Sequence, residues 1–164
     1  MTGAAPPQNR SLIVIIGVGN AHRGDDAVGL IIARHLREII GNEALVHELT
    51  GDGSTLLDLW IGAAAVILVD AMRSGAAPGT VHRIDASTNP IPTTHCYSST
   101  HVFSTTDAIE LGRTLQQLPP QVIIYGVEGK DFAPGAELSP EVRKVIGEVT
   151  EQVWGEVKRS LDRS

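Results

Sequence analysis

Two aspartates stand side by side in the run G-V-G-N-A-H-R-G-D-D-A-V-G, Gly17 to Gly29. A third, Asp70, closes the apolar run A-V-I-L-V-D, and His101 stands shortly before a helical pattern. Two carboxylates and an imidazole from distant parts of a chain make a three-ligand site with an open position, as divalent transition metals use. The softness of such donors does not choose between nickel and zinc. The glycines alone would suggest a phosphate cradle. However, the loop lacks the third glycine at dinucleotide spacing and the Lys-Ser/Thr of a P-loop, and a second carboxylate would repel a phosphate. The loop therefore reads as one wall of a cation site, with Asp26 opening a helix and pointing into a crevice. Each residue also has a plainer role open to it. Asp25 could complement a helix dipole, and His101 could be an ordinary helix-edge histidine. Asp70 could cap the loop 71–74, although a carboxylate after five apolar residues is costly unless paired, hydrogen-bonded or metal-bound.

The elements that must position these residues alternate along the chain. Leu12–Val18 reads as a short buried strand, and Asp26–Ile40 as a helix with apolar residues at helical spacing, ended by Gly41. That stripe includes His35, which is expected in the core or at its boundary. Leu45–Leu49 is a second strand and Ser54–Trp60 a short helix with Ser54 as its cap. Ala65–Asp70 is a third strand without alternation, as when both faces are covered. Residues 74–78 are too few for a crossover helix, so the strand Thr80–Ile84 is expected antiparallel to its predecessor. A long irregular loop, 85–100, follows; loops of that length are often functional. Ser104–Leu118 is a helix capped by Ser104 or Thr105 and stopped by Pro119-Pro120, and Gln121–Val127 is the last strand. Ser139-Pro140-Glu141 opens a final helix to about Leu161. The sum is an α/β fold: a three-layer α/β/α sandwich around a mostly parallel five-stranded sheet, with one strand antiparallel.

In such a sheet, function sits beyond the C-terminal ends of the strands. Asn20, Asp25, Asp26, Thr50, Asp52, Asp70 and Glu128 would share that rim, with His101 in reach. His47 and His82 alternate along strands and read as surface residues. His95-Cys96 matches no established zinc spacing. The chain has no C-x-x-C, H-E-x-x-H or G-x-S-x-G motif, and no serine is marked as an activated nucleophile.

Composition bounds the setting. The 164 residues, 42% hydrophobic, suffice for one domain with a real core. Residues 1–10 read as a polar, Pro-rich tail and 11–164 as that domain. A net charge of −6 argues against a nucleic-acid partner. The single cysteine fits a reducing compartment. No segment has the roughly 20 apolar residues of a membrane helix, and residues 12–18 lead into polar sequence without a small-residue cleavage site. A soluble cytoplasmic protein, monomeric by expectation, follows.

The motifs, taken in order, resemble those of the hydrogenase maturation endopeptidases. I-I-G-V-G-N-A-H-R-G-D-D-A-V-G (15–29) is similar to the family's signature, and V-I-L-V-D-A-M (66–72) to its strand ending in Asp. P-G-T-V-H-R-I (78–84), S-S-T-H-V-F-S-T-T-D-A-I-E-L (98–111) and L-P-P-Q-V-I-I-Y-G-V-E (118–128) resemble later family segments. Together they span about residues 12–155. The resemblance implies an enzyme that removes a C-terminal extension from the large subunit of nickel–iron hydrogenases once nickel is inserted. It implies Asp26, Asp70 and His101 as both metal contacts and catalytic residues, with nickel carried in by the precursor. Thr50, Gly51, Asp52, Gly53 and Glu128 would meet the substrate, in a groove completed by the loop 90–100.

Where many members have D-G-G-T, this chain has E-L-T-G-D-G-S-T, 48–55. The acid is displaced to Glu48 or Asp52, which leaves the identity of the client hydrogenase open. Asp25 or Glu128 could position or deprotonate a water whose attack the metal assists; a purely positional metal is the other possibility. Two further functions compete: a non-catalytic nickel-binding or client-checking factor, and an unrelated hydrolase of the same architecture.

Overall fold

In the computed structural model, residues 11–50, 53–91 and 104–163 are described. The strands are β1 (Ile13–Val18), β2 (Leu45–Leu49), β3 (Ala65–Met72), β4 (Val81–Asp85) and β5 (Gln121–Glu128). They form one sheet in the order β2-β1-β3-β5-β4. All neighbours are parallel except β4 and β5. The expected antiparallel strand is therefore present, but it pairs with β5 and lies at the sheet's edge, separated from β3.

The helices are α1 (Val28–Ile40), α2 (Leu56–Leu59), α3 (Thr105–Thr114), α4 (Pro140–Arg143) and α5 (Ile146–Asp162). Odd positions of β3, Ala65, Ile67, Val69 and Ala71, pack with α1 and α5 through Val28, Ile32, Leu36, Val149, Val153 and Val157. Even positions, Val66, Leu68 and Met72, pack with Leu56, Trp60, Ala108 and Ile109 on the other side. Both faces are thus covered, which is why β1 and the start of β3 are continuously apolar. Each fully buried aliphatic side chain contributes roughly 1.5–3 kcal/mol.

The glycine motif serves close packing. A Cβ at Gly17 would strike the Gly29 carbonyl and the Ala33 side chain, and one at Gly29 would strike the carbonyls of Val18 and Val69. Helix α1 therefore rests directly on the backbone of β1 and β3, which fixes where its first residues stand.

Several boundaries differ from the sequence expectations. A 3-10 turn, Gly24–Ala27, precedes α1, so both aspartates lie ahead of the helix. His35 is exposed, because α1 turns Ala33 and Leu36 to the sheet and leaves 34 and 35 in solvent. Helix α2 follows a 3-10 turn, Gly53–Thr55, and has no side-chain cap. Helix α3 ends four residues before Leu118: Gln116 adopts φ 55°, a left-handed conformation that stops the helix before the prolines. Its N-terminus carries a capping box between Ser104 and Asp107. The last helix is broken at Lys144–Val145, where Val145 N–H bonds back to Val142 O at 3.1 Å. Ser139 caps α4 as expected, with Pro140 in its first turn.

Candidate functional site

Strand order reverses between β1 and β3: the chain leaves β1 for β2 on one side, then crosses to β3 on the other. The crevice beyond their C-terminal ends is the switch point where ligands of open α/β sheets bind. Asp26 follows β1, and Asp70 lies near the end of β3.

Asp70 is 4% exposed. It pairs in register with Gly126 and shares the β3 face on which α3 packs. The Thr105 hydroxyl, at the start of α3, donates to its Oδ2 at 3.1 Å. Burial pushes the Asp70 carboxyl well above the usual carboxylate range, and the nearby Asp26 pushes it further. Asp26 is 2% exposed. Its carbonyl accepts from Asn20 N–H at 3.2 Å and its own N–H donates to Arg23 O at 3.1 Å, which closes the loop around the turn. Two desolvated carboxylates that act on each other need a proton or a cation between them. The donor set therefore fits a cation.

Asp25 behaves differently from its neighbour. It is wholly buried, and its carboxylate accepts from Lys130 N–H (2.7 Å), Asp131 N–H (3.1 Å), Ser139 N–H (2.7 Å) and Ser139 Oγ–H (2.9 Å). Its own N–H donates to Asp131 O at 2.8 Å. Asp25 thus anchors the segment 129–139 to the glycine loop. The expectation that it complements the α1 dipole or handles a water gives way to this role, because both oxygens are engaged, Oδ2 by three donors and Oδ1 by one.

Glu128 is occupied in a comparable way. Its carboxylate accepts from Ser74 N–H (2.9 and 3.2 Å), Ser74 Oγ–H (2.8 Å) and Gly75 N–H (3.1 Å). His82 Nε2 lies 3.9 Å from it, and His82 is half-buried rather than a free surface residue. Glu128 therefore shapes the turn between β3 and β4. Glu48, one of the two candidates for the displaced acid, bridges to Arg34 and Arg37 of α1 at 2.8 Å each. The Arg37 hydrogen bond, with help from Arg34, outweighs burial and lowers its pKa.

Thr50 is exposed past β2, and Gly53 is buried in the turn that starts toward α2. Gly51, Asp52, His95, Cys96 and His101 lie outside the described residues. Among the described residues no group of three His, Cys, Asp or Glu is placed to hold a metal ion; Asp26 and Asp70 are the two expected ligands that the structure brings together. Sequence reasoning treated Thr105 only as a possible cap and Ser139 only as a cap. Their contacts to Asp70 and Asp25 carry no local sequence signal beyond a hydroxyl residue at a helix start.

Among the described residues no helix is long and apolar enough to cross a membrane. The model of the HycI hydrogenase maturation protease family matches residues 34–156. The chain is 28% identical over 151 residues to the hydrogenase 2 maturation protease of Escherichia coli, covering 90% of this chain and 92% of that protein. Its structure is similar to that of the E. coli hydrogenase maturating endopeptidase HybD, with a TM-score of 0.75 and 25% identity over 91% of this chain and 93% of that one. It also shares the fold of HybD from Thermococcus kodakarensis, at a TM-score of 0.70 and 21% identity over 89% and 99% of the two chains. With the family model matched over residues 34–156 and the fold in agreement, the chain belongs to the hydrogenase maturation protease family.

Proposed function

We propose that this protein is an endopeptidase that removes the C-terminal extension of a nickel-loaded large-subunit precursor of a nickel–iron hydrogenase. The observation that carries the reading is the pair Asp26 and Asp70, buried together at the switch point with the Asp70 carboxyl shifted upward by burial and by Asp26. With His101 they are the catalytic and metal-contacting residues of the proposal. The metal is part of the substrate: nickel arrives in the precursor and, when bound, supplies Lewis-acid character next to the scissile amide.

The chain's own residues then have separable tasks. Asp26 and Asp70 offer carboxylate oxygens to the cargo metal, and so report whether the client is loaded. Thr105 holds Asp70 through Oδ2 and fixes its rotamer. With Asp25 and Glu128 engaged by backbone donors, the carboxylates left to orient or deprotonate a water are Asp26 and Asp70 themselves. Thr50, Gly51, Asp52 and Gly53 form the wall that selects the client, and Glu128 contributes by shaping the 74–75 turn. The enzyme works in this reading as a soluble cytoplasmic monomer.

The test is a cleavage assay on the large-subunit precursor from the same organism, with and without nickel. Wild type is compared with Asp26→Asn, Asp70→Asn and His101→Ala. Shortening that needs nickel and is lost in the variants is the expected result. Intact precursor that co-purifies with wild type would instead establish a client-checking factor. Cleavage of small substrates without any precursor would point to an unrelated hydrolase.

A further inference from the structure

Two arginines, one three residues before Asp26 and one three residues after Asp70, meet at a single residue, Phe132. The Arg23 side chain, from the loop before Asp25, donates through Nε to the Phe132 carbonyl at 3.3 Å. The Arg73 guanidinium, three residues past Asp70, lies over the Phe132 ring at 4.1 Å from its centroid, within the range of a cation–π contact. Phe132 is itself only 6% exposed and belongs to the core under α5. The backbone N–H groups on either side of it, at 130, 131 and 139, are clamped by Asp25. The platform under the two guanidiniums is therefore rigid.

Arg73 is exposed and Arg23 half-exposed. Among the described residues neither forms an ion pair, and their contacts with Phe132 are the side-chain interactions they make. Asp131, the carboxylate next to Phe132 in sequence, turns its Oδ1 to Ala133 N–H at 2.9 Å. The other cations of this segment are engaged, as Lys130 is with Glu141 at 2.9 Å. Two guanidiniums anchored on the same residue, with most of their N–H groups uncommitted, suit a planar anion. In a chain of net charge −6, that arrangement marks a place where negative charge is wanted.

We propose that Arg23 and Arg73 recognise a carboxylate of the substrate's C-terminal extension; the inference rests on the endopeptidase reading above. Asp70 meets Thr105 of α3, whereas Arg73 lies over Phe132, which packs on the α5 side of the sheet. An extended substrate crossing the strand ends would thus place its scissile bond at the acids and the extension at the arginines. The recognised carboxylate is either an acidic side chain or the terminal carboxylate of a short extension.

The experiment measures kcat and KM of wild type, Arg23→Gln, Arg73→Gln, Arg73→Lys and the double Gln variant on nickel-loaded precursor. Binding of a synthetic peptide spanning the extension is followed in parallel by fluorescence anisotropy, as the free acid, as the C-terminal amide, and with its Asp and Glu changed to Asn and Gln. The double variant should raise KM about tenfold or more with kcat nearly unchanged, and lose peptide affinity by a similar factor. Arg73→Lys should restore part of it. If the amide binds weakly, the terminal carboxylate is the ligand; if the Asn/Gln peptide does, a side chain is. Wild-type cleavage with unaltered KM in the double variant overturns the arginine proposal and leaves the endopeptidase intact. No cleavage and no peptide binding by wild type overturns both.

Discussion

Replacing Asp25 separates a structural carboxylate from a catalytic one. Asp25→Ala leaves three backbone N–H groups, those of Lys130, Asp131 and Ser139, and the Ser139 hydroxyl without their acceptor. A buried donor left unsatisfied costs about 1–3 kcal/mol. With the hydroxyl free to turn elsewhere and water reaching exposed Lys130, the two remaining amides together amount to about 2–6 kcal/mol. Asp25→Asn is milder. If its carbonyl oxygen takes the Oδ2 position, it keeps Lys130 and Asp131, and only Ser139 N–H meets an NH2 group. One such clash costs about 1–3 kcal/mol. Against a total stability of about 5–15 kcal/mol, the alanine variant should be marginal and the asparagine variant folded. Urea unfolding followed by tryptophan fluorescence gives the two values, and hydrogen exchange should show the loss at the amides of 130, 131 and 139. An Asp25→Asn protein within about 0.5 kcal/mol of wild type yet unable to cleave would refute this reasoning and return Asp25 to the chemistry.

Two further outcomes follow from the other buried acids. The folded-state pKa of Asp70 is raised by burial and then by Asp26, so the stability it confers is whole below the ordinary Asp value and is lost as pH rises through the folded one. Metal-free Asp70→Asn should therefore match wild type near pH 3 and exceed it at pH 7, the gap opening by about 1.4 kcal/mol per pH unit within that window; equal melting temperatures at both pH values would contradict it. On the far side of the sheet, Tyr125 is pushed up to about 12, first by burial and then by its hydrogen bond to Glu156 at 2.9 Å. Its contribution to stability should be intact below pH 10 and fade toward pH 12. Glu156→Gln, which also frees Arg83 and Arg159, should bring the tyrosine titration down, while burial keeps it above the ordinary value. An unchanged absorbance titration of tyrosinate would mean that the two side chains do not interact.

Much of the architecture was legible because the determinants are local. β-branched runs, Gly41, the Ser104 box and Ser139-Pro140 encode strands, stops and caps through backbone sterics and short-range hydrogen bonds. Where local signals were weak, boundaries moved: nothing in the sequence around Gln116 announces a left-handed residue, and the prolines after it looked like the obvious stop. The direction of β4 was legible too, because a short connection obliges the chain to reverse; its neighbour was not, because that pairing is made with β5, from much later in the chain.

The sequence by itself determined that acids would gather at one rim, because strand-end carboxylates of a parallel sheet emerge at the same edge. Only the tertiary structure decided which of them face the crevice. Asp25 and Asp26 are adjacent and chemically identical, but in a 3-10 turn of three residues per turn they point about 120° apart. One meets the N–H groups of 130, 131 and 139, more than a hundred residues away; the other is set against Asp70. Glu128 was claimed by the Ser74–Gly75 turn and Glu48 by two arginines of α1. A carboxylate's role depends on which donors the fold brings to it, and for Asp25 and Glu128 most of those donors are backbone groups that no residue letter records.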